Sequence, residues 1–502
     1  MIVAILILLL FVSVASLMFL RKLPAIIALP ILALGIGLVE IAVGHLSVEE
    51  ALLVIVANGS QRLIEPIIIT IFGGTISVLL QKSGVAENLV KVGAELAGAS
   101  PLAVSLVVLA VVGILFTTIT GLGAVIMIGT VVLPILASVG VRDEVAGGVM
   151  LFGISLGGLL NVNNWAVYKT VLLLDPASIS SYALVLFLIQ IPIAVIFIIV
   201  ELWRTKTLKL DIGKVSKFLL FAGVSLMLCI LAYFVLRNFY TGYLWKIFRV
   251  IAGFLGIVLI VYVVFDRASM ARSHSTDQIK WYSYLIPLIP LFLILVFHVE
   301  YIAAFLLGFL YSILVTLRPG SLQLSTRSLI EGVQGVAPVI VLIIEIGMLL
   351  SSILGPSPFG PGGHLFTNNS TNLFSVSARE WPVLADIRPF FQVIIPRSFW
   401  QYTLGFGLLA PLALYRGPMN VWGLGYGVAG ILLSTGQLTA TSIMGILMAM
   451  SIVQGISDPT NTQNVWLANE LRVDVNALMW RTLPYAWATA FIGLVVAGLR
   501  FL

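Results

Sequence analysis

The sequence predicts an all-α polytopic membrane protein, with about 12 transmembrane helices plus two re-entrant hairpins in two inverted-topology repeats. Three observations lead there. Of 502 residues, 60% are hydrophobic and 10% charged, whereas a soluble domain carries about a quarter charged residues; apolar runs of roughly 20 residues recur from end to end. Two polar islands interrupt such runs in corresponding places: Asn161-Val-Asn163-Asn164-Trp165 follows Val145–Leu160, and Ser457-Asp458-Pro-Thr460-Asn461-Thr-Gln463-Asn464-Val-Trp466 follows Thr441–Ile456. Short patterns also recur in one order along the two halves. Gly59-Ser-Gln61 matches Gly332-Val-Gln334 and Gly74 matches Gly347 at one offset. Gly121-Leu-Gly123 matches Gly423-Leu-Gly425, and Asn161 matches Asn461, at a slightly larger one.

Composition excludes several classes. A β-barrel needs alternation over about ten residues, and these runs are solid. The net charge of +6 is no nucleic-acid signal, because the basic residues sit in short loops, where they read as a positive-inside bias. The partner implied is the lipid bilayer, and the location a cell membrane crossed many times. A single cysteine, Cys229, leaves no disulfide framework or cysteine metal site. The histidines His45, His274, His298 and His364 make no metal spacing. No enzyme is expected, since no spaced pair of His, Glu or Asp meets inside the membrane.

In chain order, residues 1–202 form the first repeat. Met1–Leu20, followed by Arg21-Lys22, reads as a retained first span rather than a signal peptide, for it has no basic start. Leu23–Gly44 is the second span and Gln61–Leu80 the third. Gly84–Gly98, with Glu87, Lys91 and Glu95 four apart, suits a short interfacial helix. Pro101–Leu115 and Ala124–Ala137 flank a glycine-threonine tip and are short for full crossings, so a hairpin over 101–138 is expected. The broken span Val145–Leu174 and the span Tyr182–Leu202 complete the repeat. Residues 203–280 form a connector with two spans, Phe218–Leu236 and Ile247–Phe265, flanked by basic loops. Residues 281–502 form the second repeat, with a Pro/Gly/Asn-rich loop (355–397) that absorbs the change of offset and a hairpin over 398–437. Five crossings plus two connector crossings is an odd number, so the halves insert oppositely. Placing Arg204, Lys206, Lys209, Lys214 and Lys217 in the cytoplasm also puts Arg267–Lys280 and Arg318–Arg327 there. Glu49-Glu50, His298–Glu300 and Asn368–Thr371 fall outside, with both termini.

Polar residues at membrane depth are the site candidates. Asp458 at the second break, with Ser457, is read as a cation-coupling group; the plainer alternative is a cap for the resuming helix. Asn161, Asn163, Asn164, Thr460, Asn461 and Asn464 are read as substrate contacts, against capping and interhelical bonding. Arg416, with Asn420 beside it at the second hairpin's turn, could hold a carboxylate bidentately, unless the turn lies in water. Thr117, Thr118, Thr120, Gly121 and Gly123 offer hydroxyls and backbone N–H groups to an anion at the first tip, or make a plain turn. Glu345 is a lone acid in an apolar helix, a second cation-coupling candidate or simply a protonated acid. Glu65 with Arg62 reads as an interfacial ion pair, and Lys169 as snorkelling to the surface. Trp165 and Trp466 read equally as packing or ligand contacts.

Two inverted five-helix halves, each with a hairpin and an Asn/Ser/Thr-bearing broken helix, resemble the ion transporter superfamily. That group holds citrate and gluconate permeases, divalent-anion/sodium symporters, dicarboxylate transporters and some sodium/proton antiporters. The run Ser457-Asp-Pro-Thr-Asn…Glu470-Leu-Arg-Val-Asp474…Arg481-Thr-Leu-Pro484 resembles the permease ending, and the architectural likeness covers nearly the whole chain. The Ser-Asn-Thr signature of the divalent-anion symporters is absent from both tips. The resemblance implies a homodimer, a small organic anion as substrate, Na+ or H+ coupling without any other cofactor, and elevator-type movement of the hairpin-bearing part. The expectation is a cation-coupled organic-anion transporter; the alternative is an Na+/H+ antiporter with Asp458 and Glu345 as the exchanging acids.

Overall fold

A computed structural model describes residues 2–20, 22–208, 243–273, 279–317, 321–356, 381–391, 395–396 and 398–502. The expected span Phe218–Leu236, the basic residues Arg21, Lys209, Lys214 and Lys217, and Asn368–Thr371 lie outside the described residues. Within them the chain is helical, with no strand, and nine helices are long and apolar enough to cross a membrane. The protein is thus an all-α membrane protein. The helices are α1 (Ile2–Phe19), α2 (Ala25–Val43), α3 (Val48–Lys82), α4 (Val85–Ala97), α5 (Pro101–Phe116), α6 (Leu122–Ser138), α7 (Asp143–Leu160), α8 (Val162–Leu172), α9 (Pro176–Arg204) and α10 (Tyr243–Ser273). They continue as α11 (Trp281–Phe297), α12 (Tyr301–Val315), α13 (Ser321–Leu354), α14 (Pro382–Phe391), α15 (Phe399–Leu409), α16 (Gly425–Ser434), α17 (Ala440–Ser457), α18 (Thr462–Glu470) and α19 (Val475–Phe501).

Local chemistry sets the ends. Gly44, at φ 80°, stops α2 by returning its own N–H to Ile41 O and that of His45 to Glu40 O, the double bond of a left-handed glycine cap. Ser47 and Glu50 then form a reciprocal capping box, so the third span begins at Val48 rather than near Gln61. It runs through a π-helical stretch at Leu52–Asn58 and a break at Leu63. In the amphipathic α4, Lys91 lies 2.6 Å from Glu87 one turn earlier. On α10, by contrast, Val250, Phe254, Leu255, Ile257 and Phe265 are all exposed; so large an apolar face suits lipid, not water.

Helices α3 and α13 pack closely against each other. A Cβ added to Gly59 would lie 2.8 Å from Met348 Cα, and one on Gly347 would lie 2.3 Å from Gly59 O. At the other end, a Cβ on Gly74 would lie 2.8 Å from Gly332 O, and one on Gly332 2.6 Å from Thr75 N. The helices therefore run antiparallel, in backbone contact where four small residues allow it. The glycines that match in sequence do not touch each other; each touches the match of the other.

Candidate functional site

Both long helices that end in polar islands are 18 residues long, α7 and α17. Each stops at a residue in extended conformation, Asn161 (ψ 115°) and Asp458 (ψ 113°). After Asn161 the chain resumes directly as α8, whereas Pro459-Thr460-Asn461 intervene before α18. By helix length and backbone conformation Asp458 stands where Asn161 does, while Asn461, like Asn161, immediately precedes the helix that follows.

These two residues fasten the two tips. Asn161 Nδ2 donates to Phe116 O at 2.9 Å and to Ile119 O at 3.4 Å, the loose carbonyls ending the first hairpin arm. Asp458 is fully buried. Its Oδ1 accepts from Tyr415 N at 3.0 Å, Thr460 N at 2.9 Å and Thr460 Oγ1 at 2.7 Å. Its Oδ2 accepts from Arg416 N at 3.3 Å and Asn420 Nδ2 at 2.9 Å. Tyr415 and Arg416 both have left-handed φ, 56° and 54°, which costs about 1–2 kcal/mol per residue. The carboxylate stabilises this turn by drawing both N–H groups to one anion.

The other island residues reach backwards. Asn164 Nδ2 donates to Gly158 O at 2.8 Å and Trp165 Nε1 to Leu159 O at 2.8 Å. In the second half Asn461 donates to Gln454 O, Gln463 to Gly455 O and Asn464 to Ile456 O, at 2.7, 3.0 and 3.0 Å. Carbonyls freed by each break are thus satisfied by side chains just beyond it.

Both breaks and both tips meet around one cavity of about 250 Å³. Hairpin one contributes Phe116, Ile119, Thr120 and Gly121, and the first break Ser155, Gly158, Asn161, Asn163 and Asn164. Arg416 and Trp422 come from hairpin two, with Ser451, Gln454, Gly455, Asn461 and Gln463 from the second break. Among the described residues, Arg416 is the one charged residue in this lining; one of its guanidinium nitrogens donates to Trp422 O at 3.0 Å.

Several expected site residues lie elsewhere. Thr117 donates to Pro287 O at 2.9 Å, and Thr118 donates to the same carbonyl, so both hydroxyls fix the first tip to α11. Gly123, Asn420, Ser457, Thr460 and Asn464 do not line the cavity: Asn420 bridges Ala413 O and Asp458, and Ser457 Oγ meets Thr482 Oγ1 at 2.9 Å. Glu345 is buried on α13, one turn after Leu342 of the cavity lining but not itself in it, and among the described residues its Oε2 has no hydrogen-bond partner. Glu65 pairs with Lys169 at 2.7 Å rather than with Arg62, and that pair also answers the snorkelling expectation. Arg62 turns inward instead, donating to Ser351 Oγ and Gly355 O. Trp165 is packing, fully buried, and Trp466 lies against Gly129 of hairpin one.

Gln454 escaped the sequence reading. Its Oε1 accepts from Val421 N at 2.8 Å, tying α17 to the second tip. A glutamine one turn before a polar island was the available signal.

The fold and cavity define a multi-helix membrane protein with a polar chamber where two broken helices meet. The chain matches no protein-family model and no curated protein.

Proposed function

We propose that the chain is a secondary active transporter, taking up a small organic anion together with Na+ or H+ by alternating access. The observation that carries this reading is a cavity whose sole charged lining group among the described residues is Arg416, with amides and backbone from four broken elements around it. A lone guanidinium among amides suits a carboxylate, and among the described residues of the lining there is no carboxylate. Discontinuous helices meeting at mid-depth are the arrangement by which transporters enclose their cargo. The reciprocal glycine contacts of α3 and α13 support two oppositely inserted repeats, and with them 12 crossings and two re-entrant hairpins. Asp458, with five hydrogen bonds accepted, acts here as the fastener of the second tip. Glu345 is the acid left for a coupling proton. The cell membrane and a homodimer complete the proposal.

The test is uptake of labelled citrate or gluconate into proteoliposomes under an inward Na+ or H+ gradient. Arg416→Gln removes the charge while leaving the fastener intact, and should weaken anion binding about 10–100-fold, one charge-assisted contact being worth about 1.5–3 kcal/mol. Gradient-driven exchange of Na+ for H+ without any organic solute, unchanged by Arg416→Gln, would replace this reading by the antiporter.

A further inference from the structure

The glycine cap that ends α2 folds the chain so that His45 lies back over Glu40, and α14 brings Asp386 to the same point. His45 Nδ1 is 3.0 Å from Glu40 Oε2 and 3.2 Å from Asp386 Oδ2. One ligand atom from each of the three residues lies within 4.8 Å of the other two. The Glu40 side chain is wholly buried, that of Asp386 is 20% exposed and that of His45 40%.

Two oxygens in this cluster are unmet. Among the described residues, Glu40 Oε1 is buried without a hydrogen-bond partner, and so is Asp386 Oδ2, whose approach to His45 lacks hydrogen-bond geometry. Buried carboxylates are held by hydrogen bonds, paired charge or metal. A protonated imidazole neutralises only one of these two carboxylates. A dication neutralises both and uses the unmet lone pairs. The two short separations are also near the tetrahedral edge of roughly 3.3 Å that follows from metal bonds of about 2.0–2.1 Å.

We propose that Glu40, His45 and Asp386 form a binding site for a divalent metal ion. One imidazole with two carboxylates favours Zn2+ or a similar transition ion over Mg2+ and Ca2+, which take oxygen ligands. Water would fill the remaining position, on the side where His45 is exposed. A bound ion fastens α14 to the end of α2; α14 also packs against α1, α13 and α16, so the site bears on how firmly the second hairpin is held. The proposal stands apart from the transport reading.

The experiment uses the purified full chain, stripped with EDTA and freed of chelator. Zn2+ is titrated, the metal bound per folded chain is counted after gel filtration, and the unfolding temperature is followed. The expected result is one Zn2+ per chain and a rise in unfolding temperature that equal concentrations of Mg2+ or Ca2+ do not give. Asp386→Asn and His45→Gln should each weaken Zn2+ binding at least about tenfold and abolish the rise. No Zn2+ on folded wild-type protein overturns the proposal, leaving His45 as an ion-pair partner. Zn2+ retained equally by both variants also overturns it, assigning the metal to His274, His298 or His364. If a variant fails to fold, the wild-type count and its preference over Mg2+ and Ca2+ still decide.

Discussion

The two tips of the molecule are fastened by opposite chemistry. At the first, a helix arm ends with loose carbonyls at Phe116 and Ile119, and the residue at the break donates to them: Asn161. At the second, the chain kinks at Leu414, where the backbone turns extended; the left-handed Tyr415 and Arg416 that follow present their N–H groups, and the residue at the break accepts from them: Asp458. The same place in each half thus carries an amide or a carboxylate according to which backbone group needs a partner. One turn earlier the halves differ again. Gly157 lets α7 approach Gly113 O, to 2.5 Å from where a Cβ would sit, while Gln454 reaches across to Val421 N. One half closes by contact and the other by polar reach. That difference explains why a charge appears in only one of two otherwise parallel islands, without any appeal to ion binding.

The largest expected effect follows from this polarity. Asp458→Ala leaves the N–H groups of Tyr415, Arg416 and Thr460, the Thr460 hydroxyl and the Asn420 amide to find other partners around a turn already in left-handed conformation. At about 1–3 kcal/mol for each buried group left unmet, the loss should reach several kcal/mol and be visible as a large fall in unfolding temperature. Asn161→Ala frees one donor's worth of carbonyls and should cost about 1–3 kcal/mol. Asn161→Asp should be worse than Asn161→Ala, because it sets a carboxylate against two carbonyl oxygens. If Asn161→Asp were harmless, the first tip would not depend on a donor and the contrast between the halves would collapse.

Much of this was legible in sequence. The apolar runs gave the helices, and the polar islands pointed to the segments that converge on the cavity, because uncharged solid runs and amide clusters are strong local signals. The start of α3 was also legible in Ser47 and Glu50, though the polar residues before Gln61 obscured it. What sequence could not supply was direction. Thr117 and Thr118 have the right chemistry for the cavity, but their hydroxyls turn to Pro287 of α11, 170 residues away in the chain for the first pair. Asn461 aligned with Asn161 by type, although helix length pairs Asn161 with Asp458; where a helix ends is not visible when residue types repeat across the break. The Glu40, His45 and Asp386 cluster has no sequence spacing, since its third member comes from a helix beyond the long loop.

A second comparison concerns the glycines where α3 crosses α13. If the halves are exchanged by one symmetry, Gly74→Ala and Gly347→Ala meet equivalent obstacles, the backbone carbonyls of Gly332 and of Gly59. Neither neighbour is a flexible side chain, so the helices must part, at a cost of about 1–3 kcal/mol each. Unfolding temperatures of the two variants should fall together. A harmless Gly347→Ala beside a damaging Gly74→Ala would mean that the two crossings are not equivalent.

The smallest effect tests the feature the halves share most closely. Gly158 and Gly455 are each the third residue from the end of their helix, both border the cavity, and each gives its carbonyl to an amide beyond the break, from Asn164 and from Gln463. Asn164→Ala and Gln463→Ala expose one carbonyl apiece to the chamber. Water can replace the lost donor there, so each variant should lose only about 0.5–1.5 kcal/mol. The carbonyls would then be free to face the cargo, and the substrate affinity of both variants should change in the same direction, measured by titration of the purified protein. Opposite changes would show that the cavity's two walls, though built alike, meet different parts of the bound molecule.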